Sequence, residues 1–333
     1  MIKQFKNLDY NIVNDMINGF VKAHHTSIEK IDGQNVLVAK NKKKNKVGVV
    51  IGNGSGHEPA CIGFVGKNML DANAYGGLFS APGPQAIYEA IVASDQGKGV
   101  CLLVSNHAGD VMNSKMAEHK ALSNGINVRS VILFDDIASA SKDEDPFERR
   151  GSAGTLYAYK LVGSYSGLDV TLDQVCDFAE KVRNNVRTLS VSSISGYNPV
   201  TGEPFFRLEE DKYEIGMGVH GETMENKIDV CASYDLAQIM TDHLLEDRVY
   251  DKSVPISVLV NGMGRTTMME LYLFYNDVSK IISKKGYKLA KPLIGNFITT
   301  QDTAGLTLSF CELEETMQSM LLMETDAVAF RSV

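Results

Sequence analysis

Val47-Gly48-Val49-Val50-Ile51-Gly52-Asn53-Gly54-Ser55-Gly56-His57 is an apolar run of strand length that passes directly into a glycine-rich turn. Such a run, closed by residues that favour turns, reads as a buried strand and not as part of a helix. Working outward, the same reading applies to Val36 to Lys40, Val100 to Ser105, Val128 to Phe134, Tyr213 to Val219 and Ile256 to Val260. Several of these also end in glycine-rich or acidic turns: Asn106-His107-Ala108-Gly109-Asp110, Asp135-Asp136, Gly218-Val219-His220-Gly221 and Asn261-Gly262-Met263-Gly264. Helical patterns lie between the strands, so the fold class is α/β with mostly parallel or mixed sheets. In such sheets ligands gather outside the carboxyl ends of strands, which makes these turns the place to look for chemistry.

One helix is legible in detail. From Glu270 to Lys285 the apolar residues Leu271, Phe274, Tyr275, Val278, Ile281 and Ile282 keep a 3.6-residue period, Thr267 and Glu270 have the spacing of a capping box, and Gly286 marks the stop. A second helical stretch covers Leu172 to Val186, and the Ser-, Gly-, Asn- and Pro-rich segment Ser190 to Pro204 reads as a crossing between domains. The expected division is therefore residues 1–190, carrying the glycine-rich turn, and 191–333, carrying His220. The five lysines from Lys40 to Lys46 read as a solvated turn between strands.

At 333 residues the chain has the length of two ordinary domains, taking about 150 residues for each. Its 44% hydrophobic and 22% charged content is that of a folded globular protein. A net charge of -8 argues against broad attraction to nucleic acid or to an anionic membrane. The first residues interleave charges with apolar groups and lack a secretory core, so the expected location is cytoplasmic. The cysteines Cys61, Cys101, Cys176, Cys231 and Cys311 are far apart and form no C-x-x-C pair, and they read as buried thiols.

The turn after Val47 to Ile51 is neither a phosphate loop nor a dinucleotide fingerprint. No Gly-Lys-Ser/Thr follows, and His57 stands where the third glycine would fall. With few side chains, its backbone amides can still approach a small ligand closely. His57 reads as a structural histidine or a site residue, and Asp110 as an N-cap or an acid–base group. His220, between Gly218 and Gly221, has the open surroundings that a nucleophilic or proton-transferring imidazole requires.

A family resemblance enters on these residues. Gly52 to Ala60, Gly63-Phe64-Val65-Gly66-Lys67 with Met69-Leu70, and Gly109-Asp110-Val111-Met112-Asn113 resemble the substrate-binding K subunit of dihydroxyacetone kinases. So do Arg149-Arg150-Gly151 with Ala153-Gly154-Thr155, Gly216 to Glu222, Val260-Asn261-Gly262, and Gly295-Asn296-Phe297 with Asp302, in consistent order over nearly the whole chain. The resemblance implies a homodimer of two-domain α/β chains, with mixed and parallel sheets flanked by helices. It implies that the ring nitrogen of His220 adds to the ketone carbon of dihydroxyacetone as a reversible hemiaminal. Gly54, Ser55, Gly56 and His57 would hold the ligand, His57 would also assist as acid or hydrogen-bond donor, and Asp110 would be the base for the terminal hydroxyl. No cofactor is expected on this chain. Family members that use ATP directly carry a further nucleotide-binding domain, so phosphoryl transfer would need a separate nucleotide-carrying subunit.

The departures cluster around the transfer step. Ser105 stands where a lysine is usual, Asn53 replaces a glycine and Cys61 a histidine, and Thr223 to Lys227 replace a Pro-Gly and an arginine-rich stretch. Arg265 and Thr267 replace a Gly and a Pro, and Gln301 and Thr303 flank Asp302 where apolar residues are usual. A cation beside the reacting hydroxyl stabilises phosphoryl charge in flight, so its loss harms transfer more than capture. Two readings stay open. The first is a dihydroxyacetone-sensing co-activator that binds a transcriptional regulator without touching DNA or membrane itself. The second is a divergent substrate-binding subunit of a phosphoenolpyruvate-dependent kinase.

Overall fold

The computed structural model describes residues 4–7, 11–218, 220–222 and 226–332. The chain forms two compact units, and it passes between them more than once. The first unit comprises Gln4–Leu133, Tyr157–Asn184 and Ser319–Val333; the second comprises Phe134–Leu156 and Asn185–Gln318. A single cut at residue 190 therefore misses three exchanges. Residues 134–156 group with the second unit, while 157–184 and the chain from 319 on group with the first.

The first unit is built on six strands: β1 (Ile28–Lys30), β2 (Val36–Ala39), β3 (Gly48–Ser55), β4 (Ala72–Leu78), β5 (Val100–Ser105) and β6 (Val128–Leu133). Their order is β1-β2-β4-β3-β5-β6. The strands β4, β3, β5 and β6 run parallel, and β2 pairs antiparallel with both β1 and β4. Helices α1 (Ile12–Ala23), α2 (Pro84–Ser94) and α3 (Ala108–Ser123) precede and connect these strands. Val50, Ala72, Ala74, Leu102 and Val104 of the sheet pack against Ile87, Ile91, Ala117 and Ala121 of α2 and α3 in one buried cluster. Helix α4 (Thr155–Tyr165) leads to α5 (Leu172–Asn184), whose Asp177 and Glu180 bind Arg129 of β6 at 2.8 and 2.9 Å.

The second unit has the strands β7 (Val186–Ile194), β8 (Lys212–Ile215), β9 (Lys227–Asp229), β10 (Ile256–Gly262), β11 (Leu293–Gly295) and β12 (Ala304–Glu312). Their order is β11-β10-β12-β7-β8-β9; β10 and β11 are parallel and the other pairs antiparallel. Helices α6 (Ser233–Asp247) and α7 (Met268–Lys284) cover one face through Leu236, Met240, Leu244, Leu271, Phe274 and Val278. The capping box forms as expected: Thr267 accepts from the Glu270 amide, and the Glu270 carboxylate accepts from the Thr267 amide at 2.8 Å. Gly286 follows with φ of +82°. After α8 (Glu315–Leu322) the chain closes in a hairpin, β13 (Thr325–Ala327) and β14 (Phe330–Ser332), which returns to the first unit.

Several sequence expectations need correction. Ser190 to Ile194 is the end of β7 and not an interdomain crossing, with Ser190 and Ser192 buried. Small polar residues suit that strand because their hydroxyls are satisfied locally, Ser190 donating to the Met217 carbonyl. The strand expected over Tyr213 to Val219 is β8 and stops at Ile215; Val219 lies outside the described residues. The lysine run is not wholly solvated. Lys46 is 4% exposed, pairs with Asp71 and reaches Ser166 Oγ at 3.0 Å, since a buried ammonium requires such partners. Among the cysteines, Cys61, Cys101, Cys176 and Cys311 are buried and Cys231 partly so. No helix among the described residues is long and apolar enough to cross a membrane.

Candidate functional site

In the first unit, β3 connects onward to β4 on one side of it, while its other neighbour β5 connects onward to β6. The two connections diverge at the carboxyl ends of adjacent strands, where open α/β sheets form a ligand crevice. The strand β3 runs further than its apolar stretch: Gly52 to Ser55, expected as a turn, are the end of β3, and the chain turns only at Gly56. Gly54 is required there: a Cβ would lie 2.8 Å from the backbone nitrogen and 2.9 Å from the carbonyl oxygen of Ser80. Gly56 has φ of +97°, a region glycine enters without strain. Ser55 is 2% exposed, and its hydroxyl has no hydrogen-bond partner among the described residues.

His57 is buried, its ring centroid 5.1 Å from that of Phe79. Phe79 has φ of +50°, uncommon for an aromatic residue, and its amide donates to the Ser55 carbonyl at 2.9 Å. Behind the turn, one carboxylate oxygen of Glu58 accepts from the Gly56 amide at 3.0 Å and from the Tyr75 hydroxyl at 2.6 Å.

Asp110 is buried at the start of α3, which follows β5. It is not the N-cap. His107 occupies that position and makes no side-chain capping bond, so Asp110 is the third residue of the helix. A negative charge in a helix's first turn is favoured by the unpaired amides there. Cys61 lies within electrostatic range of Asp110 and hydrogen-bonds Tyr159; burial, and secondarily Asp110, push its thiol up to about 12. It is a neutral thiol at physiological pH and not a reactive one.

The second unit supplies His220. Gly218 accepts from the Gly221 amide at 3.0 Å and donates to the Glu222 carbonyl at 2.9 Å, closing a tight turn around the histidine. Glu222 reads both ends of that residue. Its Oε2 accepts from the His220 amide at 2.9 Å, and its Oε1 lies 3.3 Å from His220 Nδ1. Burial alone would raise the pKa of Glu222, but the bond to His220 and the charge of Arg150 outweigh it and hold the carboxyl at about 2. An ionised carboxylate at Nδ1 favours the tautomer with the proton on that nitrogen, in which Nε2 is the nucleophilic atom. A Cβ at Gly218 would lie 2.2 Å from a Glu222 carboxylate oxygen and 2.4 Å from an Arg150 guanidinium nitrogen, so a side chain there would displace both groups.

Arg150 in turn binds Asp136 Oδ2 through Nε at 3.1 Å and Nη2 at 2.8 Å. Asp136 and its neighbour Asp135 are both raised to about 6, chiefly by burial. Asp135 accepts from the amides of Ser152 and Gly154 at 2.6 and 2.9 Å and so shapes the loop that presents Arg150. A carboxyl whose folded value exceeds its unfolded one keeps its proton in the fold, so stability falls as pH rises from about 4 through 6. Glu222 acts oppositely, stabilising above 4.5 and losing that contribution only as pH falls toward 2. Urea denaturation between pH 4 and 7 should show the decline, and Asp135→Asn should flatten it; an unchanged slope would contradict the assignment.

The structure thus places Gly54, Ser55, Gly56 and His57 at the end of β3 and Asp110 in the first turn of the helix that follows the neighbouring β5, and builds a separate turn for His220 in the second unit. Among the residues that sequence reasoning missed, Tyr75 and Phe79 carried no local signal, Glu58 was visible only as a neighbour of His57, and Asp136 only as part of an acidic turn. Thr223, Met224 and Glu225, noted as departures, lie outside the described residues.

Comparison with known proteins adds the following. The family model for the Dak1 domain matches residues 18–329. The dihydroxyacetone-binding subunit DhaK of PTS-dependent dihydroxyacetone kinase 1 from Listeria innocua is 37% identical over 99% of this chain and 100% of its own. The DhaK subunit of the corresponding kinase from Lactococcus lactis is 37% identical over 93% of each chain. The solved structure of the dihydroxyacetone kinase operon co-activator Dha-DhaQ superposes with a TM-score of 0.91 and 28% identity, covering 96% of this chain and 99% of that one.

Proposed function

The chain belongs to the Dak1 domain family, and from that premise we propose that it captures dihydroxyacetone on His220 and signals the bound ketone to a transcriptional regulator, as a co-activator working as a homodimer. In the capture step the Nε2 lone pair adds to the ketone carbon. A C–N bond forms, the C=O π pair moves to oxygen, and that oxygen takes a proton from His57. The proton on Nδ1 is released to solvent and His57 regains one from solvent, leaving a neutral hemiaminal with no net change in protons. Glycerol offers similar hydroxyls and no electrophilic carbon, so it cannot follow this path.

The observation that carries the co-activator reading is the uneven preservation of the two turns. His220 retains a tailored carboxylate partner in Glu222. The end of β5, from which α3 and Asp110 follow, presents Ser105-Asn106-His107 where the family's lysine would supply a cation for phosphoryl transfer. Retention of Asp110 is compatible with this reading, because a first-turn carboxylate is favoured by its helix alone.

The 37% identity to kinase subunits over the whole chain favours a second reading, in which the protein hands dihydroxyacetone to a nucleotide-carrying subunit. Phosphorylation of dihydroxyacetone by the purified chain with such a subunit and its phosphoryl-donor relay separates the two. The co-activator reading predicts turnover at least about a hundredfold below that of a typical K subunit, in line with the loss of one charge-stabilising group. Turnover near the control would establish the kinase reading instead.

A further inference from the structure

The sharpest arrangement left over by capture itself is the clamp behind the glycine-rich turn. His57 sits between two residues tied to each other: the Gly56 amide donates to Glu58 Oε1 at 3.0 Å. The same oxygen accepts the Tyr75 hydroxyl at 2.6 Å. Tyr75 is 2% exposed on β4, beside Asn53 of β3 in the strand register, and its hydroxyl also reaches the Ala60 carbonyl at 3.2 Å. Burial and the facing carboxylate both disfavour the phenolate, so this hydroxyl remains a donor. The chain from Gly56 to Ala60 is therefore fastened to the sheet at one phenolic oxygen. On its other side His57 meets Phe79, whose amide is bonded to Ser55.

We infer that Glu58 and Tyr75 are a positioning pair for His57, setting the imidazole by fixing the backbone on both sides of it without touching the ligand. The physical case is that Gly56, with φ of +97°, lies just past the end of β3 at Ser55 and outside the strand ladder. A glycine so placed samples many conformations unless an external group holds its amide. The hydrogen bond to the Glu58 carboxylate, itself anchored by Tyr75 on a buried strand, supplies such a hold. A catalytic or binding constellation loses most of its advantage when its supporting groups leave it loose by about 1 Å.

This inference rests on the proposed role of His57 in ketone capture, and its test keeps the two apart. The rate of dihydroxyacetone adduct formation is followed by intact-protein mass spectrometry for wild type, Tyr75→Phe, Glu58→Gln, His57→Ala and the double variant Tyr75→Phe/His57→Ala. Tyr75→Phe removes one oxygen and is expected to slow capture roughly tenfold, the worth of one hydrogen bond to a charged group. Glu58→Gln keeps a carbonyl oxygen to accept both bonds and should stay within about threefold of wild type. In the His57→Ala background Tyr75→Phe should have no further effect, because its action passes through the imidazole.

Equal slowing by Tyr75→Phe with and without His57 would mark a merely structural bond and overturn the inference. So would an unslowed Tyr75→Phe alongside an impaired His57→Ala. If His57→Ala itself captures at the wild-type rate, the role of His57 falls first, and the positioning pair with it. Thermal unfolding within a few degrees of wild type establishes that each variant is folded.

Discussion

His220→Ala is expected to form no dihydroxyacetone adduct detectable by intact-protein mass spectrometry at ligand concentrations that saturate the wild type. Alanine removes the only atom in the proposal that bonds to the ketone carbon, and no hydrogen-bonding residue can replace a C–N bond. The side chain is 28% exposed, and its removal costs the bond to Glu222 but no core packing, so the variant should still fold. The loss should therefore separate cleanly from stability. An adduct of unchanged abundance would place the nucleophile elsewhere. Glu222 sharpens the expectation, since its ionised carboxylate favours the proton on Nδ1 and so makes Nε2 the nucleophilic nitrogen.

The largest expected effect on stability lies away from the site. Arg149 is 4% exposed and makes a two-pronged bond with Asp247, through Nη1 at 2.8 Å and Nη2 at 2.5 Å, while its Nε donates to the Ala140 carbonyl at 3.0 Å. Asp247 also accepts from Arg187 Nε at 2.7 Å. Removing one member of a buried ion pair leaves the other charged, desolvated and partly unpaired. Arg149→Met should lower the unfolding free energy by about 3 kcal/mol, read by urea denaturation. Lys280→Ala breaks the Lys280–Asp277 pair, whose lysine is 60% exposed, and should change it by less than about 0.5 kcal/mol. Similar losses in the two variants would show that the Arg149 network is not a structural anchor.

Where single elements announce themselves, the sequence is a good guide. Helix α7 was readable because a capping box, an apolar period and a terminal glycine all agreed. The strands β2, β3, β5 and β10 were readable as continuous β-branched runs between turn residues. β4 was not, because Ala72-Asn73-Ala74-Tyr75-Gly76-Gly77 has little strand propensity. Its glycine at position 76 is explained only by tertiary packing, a Cβ there colliding with the Ser80 carbonyl. β12 alternates Leu306-Thr307-Leu308-Ser309-Phe310, a pattern suggesting one wet face, yet Thr307 and Ser309 are buried. Their hydroxyls are instead taken up across the sheet, by Asn261 at 3.1 Å and by Thr188 at 2.7 Å.

The site divides the same way. His57, Asp110 and His220 could be picked out because each stands on a glycine-bearing turn at a strand end. Their partners could not. Tyr75 lies 17 residues from Glu58, and Arg150 lies 14 from Asp136, separations that no local pattern links. Phe79 adopts a positive φ that its residue type does not advertise. Interleaving of the two units was hidden for a related reason. Residues 134–156 and 157–184 join one unit or the other through contacts distant in sequence, while the composition around residue 190 suggested a simple break.

The most direct test of covalent capture is the carbon-13 resonance of dihydroxyacetone labelled at its ketone carbon, recorded with a stoichiometric amount of the protein. Capture on His220 predicts a protein-bound signal in the region of tetrahedral carbon bearing oxygen and nitrogen, absent with His220→Ala. A bound ligand whose labelled carbon stays in the ketone region would contradict the account.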